Sequence, residues 1–324
     1  MDVPGALHHI MIRGNNKAAI FADDEDKRRF LERLEEYVTS KKSAIYAWVL
    51  MDNHAHLLFR SGEQSISSVM RKLLTWYAQY YNRRHHRHGH LFENRYKSIL
   101  CEEDSYLLVL VRYIHLNPVR ARLVKTLAEL DNYPWSGHRA LIGKVKKQWM
   151  DTDYVLSQFA RTHSKAIHTY REFMRQGMDQ GHLKELTGGG LMRSQGGWSQ
   201  VVAIRSRGQQ EASDTRILGS GDFVSKVLKE AEARQARQLK SRGAGQTIER
   251  IMRQECGERG IPMPELTAGS KRRPVTKARA IIALRSRNEL GLSAAEIARH
   301  LGVNTSSIAR AIERAETPGR GNHN

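Results

Sequence analysis

The chain has 324 residues with 53 Lys and Arg against 34 Asp and Glu, giving a formal net charge of +19 and a pI near 10.1. Uncompensated positive charge on that scale repels itself in a compact protein unless a polyanion offsets it, so nucleic acid is the expected partner and an anionic membrane surface its competitor. The N-terminus, Met1-Asp2-Val3-Pro4-Gly5, lacks a signal-peptide pattern, and the longest purely aliphatic run, Leu107 to Val111, is too short to span a bilayer.

The length accommodates two domains, each with its own core. Cys101 and Cys256, far apart in sequence, read as reduced thiols in a cytoplasmic protein. Leu7 to Arg13 predicts a first strand, with His8, Ile10 and Ile12 on one face and His9, Met11 and Arg13 on the other. Gly14-Asn15-Asn16 breaks it. A helix is expected from Asp24 to Lys41, its acidic start suited to the positive end of the dipole and its apolar face made by Phe30, Leu31, Leu34 and Val38. Strands follow at about Ala44 to Met51 and Asn53 to Arg60, then a long helix from about Ser65 to Arg83.

Asn82 to His90 is a basic, histidine-rich loop suited to phosphate. Phe92 to Leu100 reads as a fourth strand with Arg95 and Lys97 on one face, and Asp104 to Leu116 as a strongly apolar helix. The order strand, helix, strand, strand, helix, strand predicts an α+β domain with a ferredoxin-like antiparallel sheet. Tyr133-Pro134-Trp135-Ser136 marks a turn, and Asp151 to Arg161 and Lys165 to Arg175 are further helices. Gly188-Gly189-Gly190 and Gly196-Gly197 mark flexible chain before a charged helix over Asp222 to Leu239. Thr276 to Leu290 is helical, Ser293 to Glu296 spells a capping box, Gly302 permits a tight turn, and Asn304 caps a last helix with Ile308 and Ile312 inward. That is a helix-turn-helix layout with Thr305, Ser306 and Arg310 outward, although a plain helical hairpin shares its spacing.

The chemistry-bearing residues sit on the third strand and the apolar helix. His54 and His56 alternate to one strand face, where two imidazoles can hold one divalent ion. Tyr113 and Asn117 share a helical face. An ion that polarises a phosphate makes attack by a phenol feasible, with an amide oxygen helping to complete the shell. Spacing leaves alternatives open. Tyr77, Tyr80, Tyr81, Tyr96 and Tyr106 are rival nucleophiles, and Asn117, just before Pro118, also suits an N-cap.

His9 to Asn15, Asn53 to Leu58, Gly89 to Phe92, Arg95 to Lys97, Tyr113 to Ala121 and Tyr133 to Ser136, in this order, resemble the HUH-type single-tyrosine transposases, relatives of the insertion-sequence-200 enzymes. The REP-associated tyrosine transposases are the branch they resemble most, over roughly residues 6–160. The resemblance implies the HUH nuclease fold, His54 and His56 as metal ligands with Mg or Mn, and Tyr113 as nucleophile. It also places Asn117 where relatives have a metal-ligating glutamine. Single-stranded DNA would be cleaved and rejoined beside hairpins, through a 5′-phosphotyrosine that needs no ATP for rejoining. Arg13, Arg83, Arg84, Arg87, Arg95 and Lys97 would contact DNA, and the protein would be associated with a bacterial nucleoid. The C-terminal segment resembles replication-initiator and Trp-repressor-like domains, implying an all-α helix-turn-helix domain that reads duplex DNA through Asn304, Thr305, Ser306 and Arg310.

The expected organisation is a catalytic domain over 1–125, its helical extension over 126–180, a flexible basic linker and spacer helix over 181–245, a helix-turn-helix domain over 246–316 and a disordered tail over 317–324. Monomer and homodimer stay open, as do three other functions. A non-catalytic hairpin-binding regulator would form no covalent adduct, a water-using phosphodiesterase would survive Tyr113→Phe, and an RNA binder is disfavoured because RNA modules are absent.

Overall fold

The computed structural model describes residues 5–39, 43–62, 65–178, 186, 214–243 and 245–315. The glycine runs at 188–190 and 196–197 and the tail at 317–324 lie outside the described residues. The chain parts into two compact units, Met1–Lys226 and Val227–Asn324.

In the first unit, strand β1 (Leu7–Arg13) is followed by helix α1 (Asp24–Thr39), strands β2 (Ala44–Met51) and β3 (His54–Arg60), helix α2 (Ile66–Arg84) and strand β4 (Lys97–Cys101). The sheet order is β2-β3-β1-β4-β5, and the first four strands pair antiparallel. This is the ferredoxin-like arrangement that the element order predicts. The two-residue strand β5 (Ile217–Leu218), which the sequence did not suggest, adds in parallel to β4. Strand β4 starts five residues later than expected. Phe92 makes only an isolated bridge to Gly14, and Arg95 precedes the strand in an exposed loop.

Residues of both parities are buried along β2 and β3. A sheet in that state needs cover on both faces. Helix α3 (Glu103–His115) packs on β2 and β3 and is itself buried at Leu107, Leu110, Val111, Tyr113, Ile114 and His115. A helix apolar around most of its girth must be enclosed. The short helices α4 (Asn117–Arg120), α5 (Leu127–Leu130), α6 (His138–Leu141) and α7 (Thr152–Ser157), with α8 (His163–Gln176), contribute to the same hydrophobic core as the sheet. The extension and the expected catalytic segment are thus one packed body. Helix α9 (Gly221–Gly243) starts in this unit and runs into the next.

The second unit has its own core, built by α10 (Ile248–Arg259), α11 (Met263–Thr267), α12 (Arg273–Leu290), α13 (Ala294–His300) and α14 (Thr305–Ala315). The capping box is present: Ser293 and Glu296 each accept the other's backbone N–H. Asn304 Oδ1 accepts from Ser307 N at 2.7 Å and opens α14. Gly302 takes φ 61°, and a Cβ there would lie 2.3 Å from the Thr267 carbonyl oxygen. Thr305, Ser306 and Arg310 are exposed. Among the described residues no helix is long and apolar enough to cross a membrane.

Candidate active site

The β2–β3 hairpin turns at Asp52-Asn53, so that His54 is the first residue of β3 and His56 lies two residues on, on the same face. Register across the sheet sets Arg13 beside His54 and Met11 beside both His56 and Lys97. Leu58, next on the histidine face of β3, pairs with His9. One sheet face therefore carries His54, His56, His9, Arg13 and Lys97.

Each of the two predicted ligand histidines is held at Nδ1. His54 Nδ1 lies 2.6 Å from Asn53 Oδ1, an atom that can only accept, so His54 carries its proton there. Burial, with the neighbouring Arg13 charge, brings His54 down to about 4, against a smaller opposing effect of Asp52. The ring is neutral at physiological pH, with its lone pair on Nε2. His56, 6% exposed, has Nδ1 at 2.9 Å from His9 Nε2, and the two rings stack with centroids 5.1 Å apart. The His54 and His56 centroids are 5.3 Å apart.

Helix α3 delivers Tyr113 to this face. Its ring meets His56 edge-on at 6.0 Å and His9 at 5.9 Å. The phenol is 1% exposed. The last turn of α3 leaves carbonyls without helical partners, and α4 turns back to satisfy them. Asn117 Nδ2 donates to the carbonyls of Tyr113 (2.9 Å) and Ile114 (3.2 Å), and Arg120 Nη1 donates to the Tyr113 carbonyl (2.7 Å). The Arg120 guanidinium also lies over the Tyr113 ring, 4.7 Å from its centroid. Asn117 is therefore not an N-cap: it is the first residue of α4, and its side chain closes the end of α3. Its nitrogen is engaged, which leaves Oδ1 as the atom it could offer to a metal.

Two rival tyrosines have structural duties instead. Tyr77 donates to the Ile20 carbonyl at 2.7 Å and Tyr81 to the Ala19 carbonyl at 3.3 Å. Tyr80 stacks on Trp76. Tyr106 and Tyr96 are half-buried against the core.

Among the expected DNA contacts, Arg83, Arg95 and Lys97 are exposed, and Arg87 lies over the Tyr81 ring. Arg84 differs. It forks onto Asp23 (2.7 Å) and Asp26 (2.6 Å), and Asp26 also meets His85 Nε2 at 2.9 Å. These pairs tie the end of α2 to the start of α1 while Arg84 stays exposed.

A buried polar chain extends from His115 at the end of α3. His138 Nε2 lies 2.8 Å from Asp131 Oδ1, and Arg171 pairs with the other Asp131 oxygen at 2.8 Å. Tyr170 Oη meets His138 Nδ1 at 2.7 Å and His115 Nδ1 at 2.8 Å. A carboxylate only accepts, so His138 donates from Nε2, Tyr170 donates to His138 Nδ1, and His115 Nδ1–H donates to Tyr170. Only His115, inside the Tyr113–Asn117 motif, was a sequence signal for this chain.

Residues 3–117 match the family described as "Transposase IS200 like". That segment is similar to the IS200-like transposases. It contains His9, His54, His56, Tyr113 and Asn117, whereas the Asp131–His138–Tyr170 chain and the second unit lie beyond the match. The protein is also similar to a solved structure described as a REP-associated tyrosine transposase bound to a REP hairpin. The identity is 15%, the match covers 47% of this chain and 94% of that one, and the TM-score is 0.38. No curated protein sequence matches the chain.

The donor set of the matched segment suits a borderline divalent ion in part. His54 and His56 supply two imidazoles whose far nitrogens are anchored, as metal-binding histidines usually are. Among the described residues no group of three or more His, Cys, Asp or Glu could hold a metal ion, so further ligands would come from an amide, a phosphate or water.

Proposed function

We propose that the IS200-like domain is a DNA strand transferase that cleaves and rejoins single-stranded DNA beside hairpins through Tyr113. The observation that supports this most is the seating of the Tyr113 ring against His56 and His9, which puts a phenol beside one of the two candidate ligands and the histidine bonded to it. His54 and His56, with Asn117 Oδ1, would hold Mg or Mn. Such an ion offsets negative charge on a scissile phosphate and its leaving oxygen.

The chain's own part is as follows. Tyr113 loses its proton and its oxygen bonds to phosphorus; the P–O3′ bond breaks, and the departing oxygen leaves as a 3′-OH. The product is a 5′-phosphotyrosine. In the reverse direction a 3′-OH attacks that phosphorus and returns the phenol. Asn117 and Arg120 hold the Tyr113 backbone so that the ring's position is set by α3 and α4 together. Because the phenol is buried, a strand reaches it only when its cover moves aside. Arg13 and Lys97, on the histidine face, and Arg83, Arg87 and Arg95 would steer the phosphates. The second unit would read a duplex through Asn304, Thr305, Ser306 and Arg310 on α14.

The test is a labelled hairpin oligonucleotide incubated with Mn. The wild-type protein should form a denaturant-resistant protein–DNA adduct, and Tyr113→Phe should form none while still shifting the oligonucleotide. Cleavage that persists in Tyr113→Phe would mean water, not the phenol, is the nucleophile. A mobility shift without any adduct from the wild-type protein would leave a non-catalytic DNA binder.

A further inference from the structure

His9 is fully buried on β1 and touches both halves of the site. Its Nε2 is 2.9 Å from His56 Nδ1, and its ring meets the Tyr113 ring at 5.9 Å. The sequence assigned it no role.

Two imidazoles in one hydrogen bond share one proton, and the choice of donor has consequences at the far side of each ring. If His9 donates, neutral His56 must carry its proton on Nε2, and its lone pair is already used. If His56 donates from Nδ1, its Nε2 presents a lone pair to the face shared with His54. Asn53 imposes that second arrangement on His54, because a carbonyl oxygen can only accept. For His56 the acceptor is another histidine. His9 thereby selects whether His56 can ligate. The same ring also meets Tyr113 edge-on, and Tyr113 meets His56 directly.

We propose that His9 is a positioning residue: by accepting from His56 Nδ1 it fixes His56 in its metal-ligating tautomer. The inference rests on the reading of His54 and His56 as metal ligands. Its test uses Mn alone, titrated calorimetrically into the full-length protein without DNA, alongside adduct formation at limiting and saturating Mn.

Two amide variants separate a positioning role from simple packing. In His9→Gln the side-chain amide reaches about as far as Nε2 did and can still accept. In His9→Asn it falls short, at about the place of Nδ1. Both are polar and smaller than histidine, so lost packing weakens both alike. His9→Gln should keep Mn affinity within a few-fold of wild type, and His9→Asn should lose about 10- to 100-fold, the usual loss when a ligand's outer partner is removed. Adduct formation by His9→Asn should recover largely at saturating Mn. Equal affinities in the two variants, whether both intact or both lost, would overturn the role of His9. His54→Ala and His56→Ala serve as the separate check on the underlying reading. If they leave Mn binding unchanged, the metal site itself is wrong, whatever His9 does.

Discussion

The Tyr170 hydroxyl shows how much one buried atom can organise. It donates to His138 and accepts from His115, so its removal strands two fully buried imidazole nitrogens. Tyr170→Phe should lower unfolding free energy by about 1–3 kcal/mol, measured by urea denaturation, with little change in overall fold. The same histidines set a pH dependence. Burial, reinforced by the neighbouring His138, holds His115 well below the ordinary histidine value. Burial also lowers His138, outweighing its bond to Asp131. His54 is down at about 4. The native state therefore prefers all three neutral, while the unfolded chain takes up protons near the ordinary value. The stabilisation is whole above about pH 6.5 and is lost as pH falls from there toward the lowered native values. Melting temperature should accordingly drop between about pH 7.5 and about pH 5.5, and the drop should be smaller in His115→Phe than in wild type. A pH-independent melting temperature over that range would contradict the assignment.

Secondary-structure elements were legible where a local rule governed them and obscure where it did not. The limits of β1 and β2 follow from alternation and apolar runs, and α13 announces itself by its capping box. Strand β5 has two residues and no pattern of its own; it exists because β4 offers an edge, which no local reading can foresee. Helices α10 and α11 went unread, since Ile248 to Thr267 is charged and broken by Gly260 and Pro262. Asn117-Pro118 also suits an N-cap, yet the Asn117 side chain closes the preceding helix by donating to the carbonyls of Tyr113 and Ile114. At the turn before α14, Gly302→Ala should be disproportionately harmful. The residue would have to adopt a left-handed conformation and push its Cβ into the Thr267 backbone. A loss of about 1–3 kcal/mol in unfolding free energy is expected, against roughly 1 kcal/mol for Ser293→Ala, which removes one capping bond.

At the level of the whole molecule, the two units have separate hydrophobic cores. A fragment of residues 245–315 should therefore fold alone and melt in one cooperative transition by circular dichroism; a molten, gradual melt would show that its core is incomplete. If α14 reads a duplex, Arg310→Gln in that fragment should weaken duplex binding and reduce the salt slope by about one. By itself the sequence supplied a charge of +19, which makes nucleic acid the expected partner, and the ferredoxin-like order of elements, through periodicity. It also placed His54 and His56 on one face, because strand alternation is a local rule. Tertiary structure alone decided that Tyr113, and not Tyr77 or Tyr81, meets His56 and His9, that His9 touches both His56 and Tyr113, and that Arg84 pairs with Asp23 and Asp26. Those outcomes depend on which residues distant in the chain come to share a few ångströms of space, and hydrogen-bond geometry and burial settle that only once the sheet and α3 are packed together.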